Sequence, residues 1–259
     1  MSQERHYQRK QKVMVAIPAG GCQNHVSITN LFWQLGVLNT SPYHPFEYDT
    51  MIAEDMHPHD KARNSLSRCF LATDADLIWM IDSDAKMPKN WQLLFEHFIR
   101  PRLLDIKGGI APSKIRAVSG LAFGWQSGVP EIGRTPKPTP VVYRFNPAAE
   151  NGFEGEDLQA EPFFADAVGA HCIVLRRDLV EEVGCPWFRF GYGEEGEITC
   201  GEDIHFFRKA LALGDRVLID TRVRVGHWKW TDTMDIAEYG VNVRRGAMKE
   251  KEQCQSAAG

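Results

Sequence analysis

The chain has 259 residues, of which 43% are hydrophobic and 25% charged, a composition typical of a globular protein with a substantial core. Its 30 Lys and Arg against 34 Asp and Glu give a net charge of -4, which excludes a general attraction to nucleic acid or to an anionic membrane. No apolar run approaches the roughly 20 residues that span a bilayer, and the polar stretch 1–12 does not resemble a secretory signal. We therefore expect a soluble, cytoplasmic protein. Because the six cysteines are scattered without a C-x-x-C pair, we expect free thiols rather than a zinc site.

The first third of the chain alternates short apolar runs with segments of helical spacing. The pattern predicts strands at 13–17, 48–53 and 77–81, and helices at 27–38 and 61–72. Such an alternation is typical of an α/β fold with a mixed, mainly parallel sheet flanked by helices.

The rest of the chain is less regular. Helices are predicted at 90–98, 177–183 and 202–213, and strands at 106–111, 165–175, 217–220 and 223–225. The segment 120–162 is rich in Gly and Pro, and we interpret it as a long loop on the acceptor side of a site. The predicted organisation is a polar tail (1–12), one domain (13–233) and a polar C-terminal helix or tail (234–259).

The strongest chemical signal is the pair Asp82 and Asp84, directly after the most apolar strand. A second D-x-D, Asp74 and Asp76, precedes that strand and suits turn and capping roles. Ligands of open α/β sheets bind at the carboxyl ends of strands, where two carboxylates repel each other unless a cation lies between them. The pair therefore favours a divalent metal, although a plain loop pair is the alternative.

Three further residues are candidates with open alternatives. Asp203 opens an amphipathic helix, where it is either a general base or a carboxylate that favours the helix dipole. His227 follows the last strand and is either a structural histidine or a nitrogen ligand that suits Mn²⁺ beside carboxylate oxygen. Arg63, near a helix start, either binds phosphate or is a solvated arginine.

The order of these signals resembles the GT-A fold glycosyltransferases, especially the small stand-alone family 2-like enzymes of viruses and bacteria. The resemblance covers 13–228 apart from 120–162, and no single motif carries it. Its motifs are Ile17-Pro18, Ala62-Arg63-Asn64, the run Leu77 to Pro88, Asp166 to Gly169, Cys172 to Asp178, Pro186-Trp187-Phe188, Gly201 to Phe207 and Val225-Gly226-His227.

The resemblance implies a role for each matching position. Pro18, Ala19, Gly20 and Glu54 or Asp55 would lie near the nucleotide base, Arg63 near the nucleotide or its phosphates, and Ser83 between the two acids. Asp82 would hold the ribose or the metal, Asp84 and His227 would ligate Mn²⁺ or Mg²⁺, and Asp203 would be the base of an inverting enzyme. The segment Ile17 to Gly21 departs from the usual polar residues, and His171 stands where a small or aromatic residue is common, which leaves the nucleotide base and the acceptor open.

The implied activity is transfer of a sugar from a nucleotide-diphosphate sugar, with a UDP-sugar favoured, to a hydroxyl acceptor such as a glycan, or modified DNA if the gene is viral. A sugar-phosphate nucleotidyltransferase and a non-catalytic nucleotide- or sugar-binding module are the alternatives. Trp125 and Tyr143 could stack on an acceptor or pin their loop to the core. The basic residues of the last part of the chain could meet a phosphate on the acceptor or form a solvated edge: Arg222, Arg224, Lys229, Arg244 and Arg245.

Overall fold

A computed structural model describes residues 9–19, 25–54, 56–99, 115–125, 138–149 and 151–227. The elements of its first half are β1 (Gln11–Ala19), α1 (His25–Thr40), β2 (Phe46–Glu54), α2 (His59–Ala72), β3 (Leu77–Ile81), β4 (Ala85–Lys86) and α3 (Leu93–Ile99). They follow the predicted alternation: β1, α1, β2 and α2 are each somewhat longer than predicted, β3 has the predicted bounds, and α3 is shorter.

The second half is richer in strands than the sequence predicts. It contains β5 (Ala117–Trp125), β6 (Pro138–Pro140), β7 (Val142–Phe145), β8 (Phe153–Gly155), β9 (Phe163–Ala165), β10 (Ala167–Val168), β11 (Cys172–Arg176), α4 (Arg177–Val183), β12 (Gly191–Tyr192), β13 (Ile198–Cys200), α5 (Glu202–Ala212) and β14 (Val217–His227). The two short strands predicted at 217–220 and 223–225 are one strand with a register shift. The strand predicted at 106–111 and the tail 234–259 lie outside the described residues.

The central sheet has the strand order β2-β1-β3-β11-β5-β14-β4, with β6 and β9 paired at its side. β2, β1 and β3 are parallel to one another, and β14 is parallel to β5. β11 is antiparallel to both β3 and β5, so these two groups of strands run in the same direction. The predicted fold class, a mixed and mainly parallel sheet flanked by helices, is confirmed.

Alternate side chains of the central strands enter two separate cores, one on each face of the sheet. Val15 and Trp79 pack on the face covered by α1 and α3, whereas Met14 and Met80 pack on the face covered by α2, α4 and α5. Burial of both faces explains why β1 and β3 are almost continuous apolar runs rather than alternating ones. Within the described parts of the chain, none of the helices combines the length and apolar character needed to cross a bilayer.

The interpretation of 120–162 as one long loop is wrong, because residues 117–125 form β5 in the middle of the sheet and the short strands β6, β7 and β8 follow within the segment. β5 contains Ser119, Gly120 and Gly124, which weaken its strand pattern. A Cβ on Gly120 would lie 2.8 Å from Cγ2 of Val225 and 3.0 Å from the carbonyl oxygen of Val223. Close packing against β14 therefore requires a glycine at position 120. Because strands usually lack glycine, the same residue weakens the sequence pattern by which β5 could be predicted.

Candidate functional site

Several of the predicted site residues lie at one edge of the central sheet. The parallel register places Ala19 opposite Glu54, so the ends of β1 and β2 lie side by side. Asp82 follows the end of β3 on the neighbouring strand. Because β11 is antiparallel, its beginning lies at this same edge, and the backbone N–H of Asp82 donates to the carbonyl of His171 over 3.0 Å. This is the edge at which α/β sheets bind ligands.

Asp82 is buried and both of its carboxylate oxygens are engaged. Oδ1 accepts a hydrogen bond from Arg63 at 2.6 Å, and Oδ2 lies 2.7 Å from Nδ1 of His171. Burial raises the pKa of Asp82, but the Arg63 charge and the His171 contact outweigh it and hold the pKa well below its ordinary value. Asp82 is therefore a charged carboxylate inside the protein.

Arg63 joins this carboxylate to the first turn of α5. Its side chain is 3% exposed, and a second amino group forms an ion pair with the buried Glu202. The guanidinium also donates to the carbonyl of Ala170 at 3.4 Å and lies 5.9 Å from the centre of the Phe188 ring. Its Nε is buried without a hydrogen-bond partner among the described residues. The structure thus places Arg63 beneath the site rather than as a solvated arginine on the surface.

Asp203 follows Glu202 but faces a different environment. Its Oδ1 accepts a 2.8 Å bond from the backbone N–H of Ile204, and its Oδ2 accepts a longer bond of 3.4 Å from the N–H of Ala170. Burial raises the pKa of Tyr143, and the charge of Asp203 raises it further, so the phenol lies near this carboxylate. Of the two acids that open α5, Glu202 has the arginine partner and Asp203 has the more available oxygen.

The backbones of the predicted metal ligands Asp84 and His227 lie close together in the fold, although the two residues are far apart in the sequence. β4 pairs antiparallel with the end of β14, and the register places His227 opposite Ala85 and Gly226 opposite Lys86. His227 thus lies opposite the residue that follows Asp84. The side chain of His227 is outside the described residues, and the side chains that are described include no cluster of three or more His, Cys, Asp or Glu suited to a metal.

The other predicted site residues that the structure describes lie at the ends of β1, β2 and β3. Pro18 and Ala19 end β1, and Ala19 is buried, whereas Glu54 is exposed at the end of β2. Ser83, which stands between Asp82 and Asp84 in the sequence, is buried. Gly20 and Asp55 lie outside the described residues.

Sequence reasoning missed three side chains at this edge. Nothing in the sequence around Glu202 indicates that it pairs with Arg63. His171 was noted as a departure, but its contact with Asp82 depends on the antiparallel insertion of β11. His59, at the start of α2, has its pKa lowered by desolvation and by Arg63, while the charges of Asp82 and Asp84 oppose that shift. Its position after the carboxyl end of β2 is the one signal that could have indicated it.

Two of the acceptor-side candidates, Arg222 and Tyr143, have structural contacts. Arg222 donates to both oxygens of the buried Asp220, at 2.9 and 2.6 Å, so its guanidinium is engaged within β14. Tyr143 is partly buried against the core. Arg224 is exposed on β14. The side chain of Trp125 and the residues Lys229, Arg244 and Arg245 lie outside the described part.

Neither the protein-family models nor the curated proteins contain a match to this chain. Among solved structures, A197 from STIV is similar over 85% of this chain and 86% of its own, with 15% sequence identity and a TM-score of 0.51. GalNAc-T7 crystallised with UDP, GalNAc and Mn²⁺ is similar over 85% of this chain and 44% of its own, with 13% identity and a TM-score of 0.47. The first likeness shows a shared fold and nothing about activity, and the second is too weak to carry an argument.

Proposed function

We propose that this protein is a metal-dependent glycosyltransferase that moves a sugar from a nucleotide-diphosphate sugar, with a UDP-sugar favoured, to a hydroxyl acceptor. The observation that carries the proposal is the buried cation Arg63, which joins the carboxylate at the end of β3 to the first turn of α5. Its two ion pairs connect Asp82, proposed to contact the donor, with Glu202, the residue before the candidate base Asp203.

The donor set suits a divalent metal. Asp84 supplies carboxylate oxygen and His227, opposite its neighbour Ala85, would supply imidazole nitrogen, a combination that suits Mn²⁺. Two protein ligands are enough when the substrate's phosphates complete the coordination. The metal would neutralise the charge that develops on the nucleoside diphosphate as it leaves.

Asp82 is better suited to the nucleotide than to the metal. Arg63 and His171 already engage one oxygen each, which fixes the orientation of the carboxylate. A carboxylate has about four lone-pair positions, so Asp82 can still accept a hydrogen bond from a ribose hydroxyl. The nucleotide base would then lie toward the ends of β1 and β2, near Pro18, Ala19 and Glu54. His59 lies at the same edge.

Asp203 is the proposed base of an inverting reaction. The acceptor oxygen attacks the anomeric carbon while the bond from that carbon to the diphosphate oxygen breaks, and the acceptor proton passes to Asp203. Oδ2 is the oxygen suited to take it, because its only described hydrogen bond is the long one from Ala170. Glu202 cannot replace it while its carboxylate is paired with Arg63.

Two other functions fit parts of this site. A sugar-phosphate nucleotidyltransferase would use the same metal, but the sequence has no glycine-rich run with Arg and Lys near the first strand to hold a triphosphate. A binding module would need the nucleotide contacts but not a base at Asp203.

Calorimetric titration with UDP, GDP, CDP and ADP, each with and without Mn²⁺, tests the proposal. We expect one nucleotide to bind in a Mn²⁺-dependent way and Asp84→Asn to abolish that dependence. Asp74→Asn, in the other D-x-D at the far end of the same strand, is the matched control and should bind as the wild type does. Binding of no nucleotide, or equal binding by Asp84→Asn, would overturn the metal-dependent site.

A further inference from the structure

A cavity lies on the outer side of α5. It has a volume of about 350 Å³ and is lined by Arg189, Phe190, Gly191, Tyr192, Cys200, His205 and Arg208; we refer to it as the α5 pocket. His205 is two residues after Asp203, a rotation of about 200° around the helix, so the two side chains leave α5 on nearly opposite sides. The α5 pocket is therefore separate from the proposed catalytic edge.

The charged side chains that line the α5 pocket are all basic, and the nearest acid that acts on the lining is Asp203, through Cys200. Arg189 and Arg208 are in its wall, Lys209 is the next residue of α5, and its lining contains no carboxylate. Burial lowers the pKa of His205, and the charges of Lys209, Arg189 and Arg208 lower it further. A cavity with this positive field favours an anionic ligand.

His205 contributes its imidazole ring to the lining of the α5 pocket. One ring nitrogen interacts with the backbone of Pro186, and Nε2 is enclosed by the protein without a hydrogen-bond partner among the described residues. The ring is therefore placed to sense a bound ligand through its surroundings, not through a hydrogen bond from Nε2. Arg208 is held in place by a 2.6 Å bond to the carbonyl of Asn151 and lies 5.9 Å from the ring centre of Phe153.

We propose that the α5 pocket binds a phosphate-type oxyanion between Arg189 and Arg208, beside the ring of His205. Guanidinium groups donate paired hydrogen bonds that match the geometry of phosphate oxygens. Phe190 and Tyr192 form the apolar part of the wall, which suits a phosphate carried on a larger molecule. The proposal does not depend on the glycosyltransferase assignment, since none of these residues has a role in it.

The test follows the ring resonances of His205 in the full-length protein by NMR during titration with sodium phosphate, against sodium chloride at equal ionic strength. We expect a saturable shift with phosphate and none with chloride. Arg189→Gln and Arg208→Gln should each weaken the binding by about tenfold or more, because each removes a charged hydrogen bond. Arg68→Gln, which changes an exposed arginine of α2, should leave the affinity within about twofold.

Two further measurements define the ligand and the site. Methyl phosphate that binds as well as phosphate would indicate a phosphate ester, such as one on an acceptor, and selective binding of inorganic phosphate would indicate a free anion; either supports the pocket. A shift that chloride reproduces, that persists in Arg189→Gln, or that a nucleotide with Mn²⁺ displaces competitively would overturn it.

Discussion

Arg63 is placed between two buried carboxylates, Asp82 and Glu202, that belong to distant parts of the chain. Removing a charge from water costs several kcal/mol, and the cost is offset only when partners and hydrogen bonds surround it. Arg63 meets this condition with contacts to both acids, to the Ala170 carbonyl and to the Phe188 ring. In the proposed enzyme, Arg63 would therefore position the site through these neighbours.

We predict that Arg63→Met lowers the free energy of unfolding by about 3 to 5 kcal/mol, because it leaves two buried carboxylates without their cation. Urea unfolding at neutral pH measures the change. Arg68→Met on the exposed face of α2 is the control and should change stability by less than about 0.5 kcal/mol. A loss in Arg63→Met no larger than in the control would show that the buried ion pairs contribute nothing.

A third buried carboxylate, Asp220, predicts how the free energy of unfolding depends on pH. It is fully buried, and Nε2 of His97 lies 2.8 Å from its Oδ2. Burial raises the pKa of Asp220, but Arg222 and His97 outweigh it, so the pKa in the folded state lies below its ordinary value. The unfolded chain therefore takes up this proton first as the pH falls, and the stabilisation present above about pH 4 is lost below it.

We expect the free energy of unfolding of the wild type to fall steeply between about pH 4 and pH 2, with Asp220 contributing up to about 1.4 kcal/mol per pH unit. Asp220→Asn should reduce the slope by that amount, whatever it does to stability at pH 7. Urea unfolding at several pH values measures it, with the exposed Asp157→Asn as control. An unchanged slope in Asp220→Asn would contradict the lowered pKa.

The candidate site residues that the sequence indicates are those whose signal is local. Asp82 and Asp84 follow an apolar strand, and Asp203 opens a helix, so each position can be inferred from its own neighbours in the chain. The pairing of Glu202 with Arg63 and of His171 with Asp82 depends on how distant segments meet. Such contacts have no periodicity and no spacing that a single sequence could reveal.

At the scale of elements, β1 to β3 and their helices could be predicted because long apolar runs alternate with clear helical spacing. β5 could not, because close contact with β14 selects Gly120, a residue that strands usually avoid. The direction of β11 is also absent from its composition, since a buried strand is equally apolar in either orientation. Antiparallel insertion of β11 is what brings His171 to the edge that holds Asp82.

The tight approach of β5 to β14 predicts that Gly120→Ala lowers the free energy of unfolding by about 1 to 3 kcal/mol. The added methyl group would meet Val225 at 2.8 Å and the backbone of Val223 at 3.0 Å. Gly36→Ala is the matched control. A Cβ added at Gly36 would meet nothing within 4 Å, and alanine inside α1 should raise the free energy of unfolding by about 0.5 to 1 kcal/mol. Thermal and urea unfolding compare the two variants. A neutral Gly120→Ala would mean that β5 and β14 pack less closely than the structure shows.

For the molecule as a whole, the direction of the strands decides where chemistry can occur. β2, β1, β3, β5 and β14 all run the same way, so the residues that follow them meet at one edge although they are spread along the chain. The α5 pocket lies apart from that edge, on the outer side of the helix whose first turn carries Asp203. The fold thus offers a proposed catalytic edge and a proposed anion pocket on two sides of α5.

The most direct test of the glycosyltransferase assignment is the release of nucleoside diphosphate from nucleotide sugars in the presence of Mn²⁺, compared between the wild type and Asp203→Asn. Even without an acceptor, water can take its place and give slow hydrolysis of the donor. We predict that the wild type releases one nucleoside diphosphate, and that Asp203→Asn binds the same donor equally well but turns it over about 10²- to 10⁴-fold more slowly. Equal turnover by Asp203→Asn, or no release from any nucleotide sugar by the wild type, would contradict the assignment.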